Sequence, residues 1–169
     1  MAEPLADKVI RKIGQAAELY YRLVILVAPA GSGKTVALQD VHERTAAPLV
    51  NVNLELSRRM LDLTERQRAL QLPRLLAEIV CATDLSAPQS KAARQAGVVL
   101  LDNIEILFDV SIKHDPLRLL QGLSRNKTVV AAWSGSIDGE HMVYATPDHP
   151  EYKRYPVRDF LMVNSEVVV

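Results

Sequence analysis

The segment Leu23–Thr35, which reads LVILVAPAGSGKT, constrains the fold of this chain more than any other stretch. It opens with an apolar run, Leu23–Val27, and such a short run rich in β-branched residues predicts a strand buried in a parallel sheet. A turn of small residues follows, and residues 34–38 predict the start of a helix. Gly31 and Gly33 allow backbone conformations that other residues avoid, so the N–H groups of the turn can point at one anion. The segment therefore predicts a strand, a phosphate-binding turn and a helix whose N-terminus adds N–H donors.

The spacing matches the P-loop (Walker A) pattern G-x-x-x-x-G-K-[ST], with Ala28 at the first position, where a small residue suffices. Lys34 would place its charge on the β- and γ-phosphates, and Thr35 would offer its hydroxyl to Mg²⁺. We therefore predict that the chain binds ATP with Mg²⁺. The alternative is a Gly-rich turn with a surface lysine, and the agreement of strand, spacing and helix disfavours it. The predicted nucleotide-binding residues are Pro29, Ala30, Gly31, Ser32, Gly33, Lys34, Thr35 and Val36.

Composition excludes several other classes of protein. The 169 residues include 20 Lys and Arg and 20 Asp and Glu, so the overall charge does not indicate nucleic-acid binding, although a local DNA contact is left open. A single cysteine, Cys81, excludes a disulfide framework, and its apolar helical surroundings predict a buried structural thiol. No apolar run approaches the roughly 20 residues of a membrane span, and the N-terminus has no apolar signal core. We expect a cytoplasmic protein without membrane contact.

The chain alternates between strand and helix patterns. Residues 5–22 predict an amphipathic helix that packs on the sheet or on a partner, with Tyr20 on its apolar face. Predicted helices then follow at 34–44, 55–62, 64–82 and 116–123, and predicted strands at 23–27, 49–54, 98–102, 128–133, 141–145 and 160–163. Thr64 and Gln67 suggest a capping box, Asp115-Pro116 a helix entry, and Pro73 a kink or boundary. Residues 134–139 predict a turn, and 146–156 predict mainly a loop, with a helical turn at 149–154.

Strands that alternate with helices predict an α/β fold, a parallel central sheet with helices on both faces. We expect a single three-layer domain over residues 1–169. Within it, residues 1–22 would form an N-terminal helix, 23–133 the nucleotide-binding core, and 134–169 a loop and an edge strand.

A second motif completes the predicted site. Val99–Asp102 is an apolar strand that ends in a carboxylate, which is the Walker B pattern, and Asp102 would hold Mg²⁺ through water. The predicted metal residues are therefore Thr35 and Asp102. The alternative is an aspartate that only caps the following turn.

The residues predicted to be catalytic depart from the usual pattern of P-loop ATPases. In many P-loop ATPases a catalytic glutamate follows the Walker B aspartate, but here that position is Asn103, which can orient water and cannot take a proton. Glu105 is the next acid and would act as the base or support the metal, with slow turnover. The predicted catalytic residues are thus Asp102, Asn103 and Glu105. Ser134 and Ser136 are candidates for a sensor contact, and Arg125 is a candidate arginine finger for a neighbouring subunit.

The P-loop alone indicates no particular family, but several longer segments of the sequence together resemble one. They are APAGSGKT, VVLLDNIEILFD (98–109), LQGLSRNKTVVAAWSG (120–135) and HPEYKRYPVRDFLMV (149–163). Together they resemble the BrxF family, small P-loop proteins of type 3 BREX bacteriophage-exclusion systems. The resemblance implies a strand order of 5-1-4-3-2 and a bacterial defence complex with other defence-system proteins, such as a large AAA+-type ATPase. It also implies a homo-oligomer or a complex with those partners.

Three functions remain open on the sequence alone. The first is a nucleotide-switched ATPase subunit. The second is a small-molecule or nucleotide kinase, for which the lid would be residues 134–158 with Lys153, Arg154 and Arg158. The third is an interaction module that binds nucleotide without hydrolysing it, and Asn103 favours it over a fast enzyme.

Overall fold

A computed structural model describes most of the chain. The residues that it describes are 4–29, 33–86, 97–109, 114–125, 127–145, 148, 150–157 and 160–164, without the side chains of 83–86. Within these ranges the α-helices are α1 (Leu5–Ala16), α2 (Lys34–Thr45), α3 (Val52–Met60), α4 (Glu65–Ser86) and α5 (Pro116–Leu123). The strands are β1 (Leu23–Ala28), β2 (Leu49–Asn51), β3 (Val98–Asp102), β4 (Thr128–Asp138), β5 (His141–Tyr144), β6 (Lys153–Pro156) and β7 (Leu161–Asn164), and a 3-10 helix spans Ile104–Phe108.

The central sheet is parallel, and its strands lie in the order β2-β3-β4-β1-β7. β4 continues past this sheet and pairs antiparallel with β5, which in turn pairs antiparallel with β6. Because parallel strands end at one edge of a sheet, the carboxyl ends of β1, β3 and β4 lie side by side. Ligands of open parallel sheets bind at this edge.

Helices cover both faces of the sheet. Leu23, Ile25 and Val27 of β1 belong to a hydrophobic cluster with α3, α4 and α5, whereas Val24 and Leu26 belong to a second cluster with α1 and α2. β1 is apolar without alternation because each of its faces has a core of its own. The predicted α/β fold with a parallel central sheet is confirmed, and the arrangement is compatible with three layers.

The predicted N-terminal helix packs on the sheet through Ala6, Val9 and Ala16, which are buried with residues of α2 and β7. It ends at Ala16, earlier than predicted, so Tyr20 lies beyond the helix and is 68% exposed. The prediction that Tyr20 belongs to the apolar face is therefore wrong. In the described part of the chain, no helix is long and apolar enough to cross a membrane.

The predicted capping box at Thr64 and the predicted helix entry at Asp115 are confirmed, whereas the helix predicted to start at residue 55 begins at Val52. The Thr64 N–H donates to Gln67 Oε1 at 2.9 Å, and the Gln67 N–H donates to Thr64 Oγ1 at 3.2 Å, which is a reciprocal capping box. Asp115 caps α5, and its Oδ1 accepts the N–H of Leu117 at 3.0 Å.

Pro73 lies inside α4 and does not end it. A proline in a helix leaves the carbonyl four residues earlier without its usual N–H donor. That carbonyl belongs to Ala69, and it accepts a hydrogen bond from His114 Nε2, just before α5. The predicted boundary near Leu72 is wrong because a side chain distant in sequence satisfies the carbonyl that Pro73 leaves unpaired.

Two further predictions are wrong for local reasons. The second strand ends at Asn51 and not at residue 54, because Asn51 Oδ1 accepts the N–H of Leu54 at 3.1 Å and starts α3. Cys81 is exposed and not buried. Its neighbours Ile79 and Val80 take the buried face of α4, and the helical repeat turns Cys81 away from them.

The region after Trp133 differs most from the prediction. Residues 134–138 continue β4 and do not form a turn, and the hairpin turn is confined to Gly139 and Glu140. β6 occupies 153–156, where a loop and a helical turn were expected. The predicted lid, as far as the structure describes it, is therefore the antiparallel sheet of β4, β5 and β6.

Replacing Gly135 with alanine should destabilise this antiparallel sheet. A Cβ at Gly135 would lie 1.8 Å from the carbonyl oxygen of Val143, which also accepts the Trp133 indole N–H at 3.1 Å. We expect Gly135→Ala to lower the free energy of unfolding by about 2–3 kcal/mol and the melting temperature by roughly 5–10 °C. Thermal unfolding followed by circular dichroism would measure both.

Gly14→Ala in α1 is the matched control, because no atom lies within 4 Å of a Cβ built there. It should stabilise the protein by up to about 1 kcal/mol through helix propensity. A Gly135→Ala variant that melts at the wild-type temperature would contradict the described packing of β4 on β5.

Candidate functional site

The start of α2 follows the exit of β1 and has the features of an anion site. Gly33 is the residue before the helix and has a φ of 92°, a left-handed conformation that favours glycine. The first-turn N–H groups of Lys34, Thr35 and Val36 have no acceptor within the helix, and neither a side-chain cap nor an acidic residue occupies that turn. Val36 is exposed, so it would contribute only its backbone. Of the other predicted residues, Ala30, Gly31 and Ser32 lie outside the described residues.

Lys34 turns its side chain back onto the exit of β1. Its Nζ donates to the carbonyls of Ala28 at 2.9 Å and Pro29 at 2.8 Å, and the residue is 7% exposed. Burial lowers the pKa of Lys34, and the carboxylates of Glu105 and Asp102 partly oppose this shift. The ammonium is thus held beside the turn between β1 and α2, where it could bind an anion.

Thr35 and Asp102 meet across the sheet edge. The Thr35 hydroxyl donates to Asp102 Oδ2 at 2.7 Å, and the other carboxylate oxygen, Oδ1, accepts the N–H of Asn103 at 2.9 Å. Asp102 ends β3 and is buried. A buried carboxylate needs such partners, and this pair places two oxygen atoms of the kind that Mg²⁺ prefers next to Lys34.

Asn103 follows β3 directly and forms the turn into the next helix. It is exposed, and its φ of 54° puts it in the left-handed region, which asparagine tolerates better than most residues. This conformation ends β3 and starts the 3-10 helix Ile104–Phe108. The structure therefore gives Asn103 a role in turning the chain, while its predicted contact with water stays a prediction.

Glu105 and Ser134 are brought together by the fold. The Ser134 hydroxyl donates to Glu105 Oε1 at 2.7 Å, which joins the segment after β3 to β4. Ser136 lies further along β4 and is exposed. Of the two serines predicted as sensors, only Ser134 therefore bonds a predicted catalytic residue.

A cavity of about 480 Å³ opens beside this pair, and it is called the β4–β5 cavity below. The residues that line it are Pro29, Glu105, Ser134, Gly135, Ser136, Tyr144 and Ala145. Gly135, Tyr144 and Ala145 were not predicted as site residues, because the sequence of 134–139 indicated a turn that would have carried β5 away from the site. The φ of 65° at Ala145 marks a strained position on the rim, of a kind that concentrates at functional sites.

Two arginines predicted to act at the site, Arg125 and Arg154, make other contacts. Arg125 precedes β4, so it lies at the opposite edge of the sheet, and its guanidinium is 5.3 Å from the centroid of the Tyr20 ring. Its action on a neighbouring subunit stays a prediction. Arg154 on β6 pairs with Asp138 at 3.5 Å, and Arg158 lies outside the described residues.

A resident metal centre built only from side chains is not found in the described ranges, where no three His, Cys, Asp or Glu residues cluster suitably. A magnesium ion bound with nucleotide needs fewer protein ligands, because phosphate oxygens and water supply the others. The Thr35–Asp102 pair fits that requirement. No protein-family model matches the chain, and a search of curated proteins found no match.

Proposed function

We propose that this chain is a P-loop protein that binds ATP with Mg²⁺ at the carboxyl ends of β1, β3 and β4. The observation that carries the proposal is the 2.7 Å hydrogen bond from Thr35 to Asp102, made beside the buried Lys34. The hydroxyl and lysine come from one helix start, and the carboxylate comes from a separate strand end. A lysine, a hydroxyl and a carboxylate in this combination are what a Mg–nucleotide site uses.

Each residue has a defined task in this proposal. Lys34 would exchange its two carbonyl partners for phosphate oxygens, which are stronger acceptors because they are charged. The first-turn N–H groups of α2 would donate to the same phosphates. Thr35 would bind Mg²⁺ directly and Asp102 would bind it through water. Bound Mg²⁺ would neutralise the phosphates and favour charge build-up on the leaving oxygen.

We further propose that hydrolysis is slow. The residue after Asp102 is Asn103, whose amide cannot accept a proton. Glu105 is the nearest candidate base, and its Oε1 is already engaged by Ser134. The second oxygen of Glu105 would remain able to accept a hydrogen bond from a water molecule. Glu105 lies on the 3-10 helix and not directly after β3, so its position differs from that of the usual catalytic glutamate.

Replacing Glu105 with glutamine should lower single-turnover ATP hydrolysis by about 100-fold, because a general base contributes about 10²–10⁴-fold. Asn103→Glu should raise turnover above the wild-type rate, since it restores an acid next to Asp102, and it should lower the melting temperature, since glutamate tolerates the left-handed φ of 54° less well than asparagine. Glu78→Gln, on the exposed face of α4, is the matched control and should leave the rate unchanged. Fast wild-type hydrolysis that is indifferent to Glu105 would contradict this role.

The wider role is proposed from the family resemblance. We propose a cytoplasmic, nucleotide-switched subunit of a BREX-type bacterial defence complex, acting with partners such as a large AAA+-type ATPase or as a homo-oligomer. The strand order β7-β1-β4-β3-β2 supports this, because it has the pattern that the resemblance implies. ATP turnover measured against protein concentration tests it: a rate per subunit that rises with concentration indicates a site shared between protomers, and a flat rate near zero indicates a required partner.

Phosphotransfer to a small acceptor is the second candidate function. The observation that favours it is the β4–β5 cavity, which opens next to Glu105. ADP formation that depends on an added acceptor would support it over the ATPase.

A further inference from the structure

The β4–β5 cavity lies beside the phosphate-binding turn and extends from Pro29 of that turn to β5. Its volume of about 480 Å³ is within the usual range of roughly 300–1,000 Å³ for small-molecule sites. It is lined on one side by the β1 exit at Pro29 and on the other by Tyr144 and Ala145. It is therefore large enough for a molecule with one ring.

The described side chains that line the cavity carry a negative charge. Among them Glu105 is the one carboxylate, and none is Lys or Arg. The Lys34 ammonium is nearby, where it donates to the carbonyls of Ala28 and Pro29 and interacts electrostatically with Glu105. Ser134 occupies Glu105 Oε1, and within the described residues no group donates to the second oxygen, Oε2. A carboxylate oxygen thus lies on the cavity wall with part of its hydrogen-bonding capacity unused.

The aromatic side chain that lines the cavity, Tyr144, packs against two other rings. The ring of Tyr144 stacks on Phe108 with a centroid distance of 3.5 Å and meets Trp133 edge to face at 5.9 Å. Burial raises the pKa of the Tyr144 hydroxyl, and the negative charges of Glu151 and Glu105 raise it further. The hydroxyl therefore stays protonated and neutral.

We propose that the β4–β5 cavity binds a small organic cation, a guanidinium or ammonium group on a flat apolar body, with the cation on Glu105 and the body against Tyr144 and Pro29. A carboxylate oxygen without a donor in a half-enclosed place is best satisfied by a charged donor. The apolar body would pack on the ring of Tyr144. An anionic ligand would instead be repelled by Glu105. This inference goes beyond ATP binding and does not depend on it.

Benzamidine and benzamide, the same flat ring with a cationic and a neutral head, are the probes that test this. Saturation-transfer NMR without nucleotide would measure the dissociation constant of each for the full chain. We expect saturable binding of benzamidine and at least tenfold weaker binding of benzamide. Glu105→Gln should reduce benzamidine binding at least tenfold, to the level of benzamide. Glu78→Gln should leave it unchanged.

Ser136→Phe provides an independent test, because the exposed Ser136 lines the cavity and a phenylalanine there would occupy it. It should abolish binding of both probes while the melting temperature stays close to that of the wild type. Equal binding of benzamidine and benzamide, no saturable binding, or binding unaffected by Glu105→Gln would each overturn the proposal. Since no nucleotide is present, these results are independent of whether the chain binds ATP.

Discussion

Replacing Lys34 with methionine should lower the affinity for ATP by about 100-fold or more. Removing a charge-assisted hydrogen bond costs about 1.5–3 kcal/mol, and Lys34 would make such bonds to two phosphates. A loss of about 2.7 kcal/mol corresponds to 100-fold in the dissociation constant. Titration calorimetry with ATP and Mg²⁺ would measure it.

The fold should survive this change. Burial lowers the pKa of Lys34, although Glu105 and Asp102 oppose this shift, so a neutral side chain of similar length removes a desolvation cost. The Ala28 and Pro29 carbonyls lose a donor, which offsets part of that gain. Arg74→Ala is the control: it removes a positive charge whose side chain is 76% exposed on α4, and it should bind ATP as the wild type does. Unchanged ATP affinity in Lys34→Met would contradict the proposed site.

Asp102→Asn should weaken the apparent affinity for Mg²⁺ by about 10–100-fold, the usual effect of losing a group that holds a metal through its outer shell. The amide keeps the shape of the carboxylate. Its oxygen can still accept the Asn103 N–H, and its NH2 group would then donate to the Thr35 hydroxyl oxygen. The variant therefore removes the charge and reverses one hydrogen bond while it keeps the size of the side chain. ATP binding measured across a series of Mg²⁺ concentrations would give the value.

Two companion variants sharpen the test at Asp102. Thr35→Val removes the proposed direct ligand and should also weaken the dependence on Mg²⁺. Asp62→Asn, in the exposed loop between α3 and α4, should have no effect. If ATP binding by Asp102→Asn depends on Mg²⁺ as that of the wild type does, Asp102 does not hold the metal.

The parts of the fold that local sequence controls could be predicted. β3 was predicted with its observed bounds, Val98–Asp102, because a continuous apolar run ended in a charged residue. The capping residues Thr64 and Asp115 could also be predicted, because their hydrogen bonds join residues two or three apart. The confirmed α/β class follows from such local patterns repeated along the chain.

Features that depend on distant residues could not be predicted. Pro73 predicts a kink or a boundary, and the sequence does not indicate that His114 would donate to the Ala69 carbonyl that Pro73 leaves without its helical donor. Gly135 reads as a turn residue, whereas in the structure its missing Cβ lets Val143 approach. Such contacts join residues that are distant in the sequence, so no regular spacing of residue types indicates them.

In the candidate site, too, the residues that belong to local motifs could be predicted, whereas contacts between distant residues could not. Thr35 and Asp102 were named from separate motifs, and the general arrangement of such motifs already implied that they would be neighbours. Glu105 and Ser134 were also named, but no spacing rule indicated that they would bond. Their contact depends on β4 lying next to β3. Tyr144 was missed because its place depends on the hairpin that returns β5 to the cavity.

The most direct test of the central claim is calorimetric titration of the wild-type chain with ATP, once in Mg²⁺ and once in EDTA. We predict saturable binding at one site per chain that is tighter in Mg²⁺ than in EDTA and is lost in Lys34→Met. The absence of binding under both conditions, or binding that Lys34→Met leaves unchanged, would contradict the claim that Lys34, Thr35 and Asp102 form a Mg–ATP site.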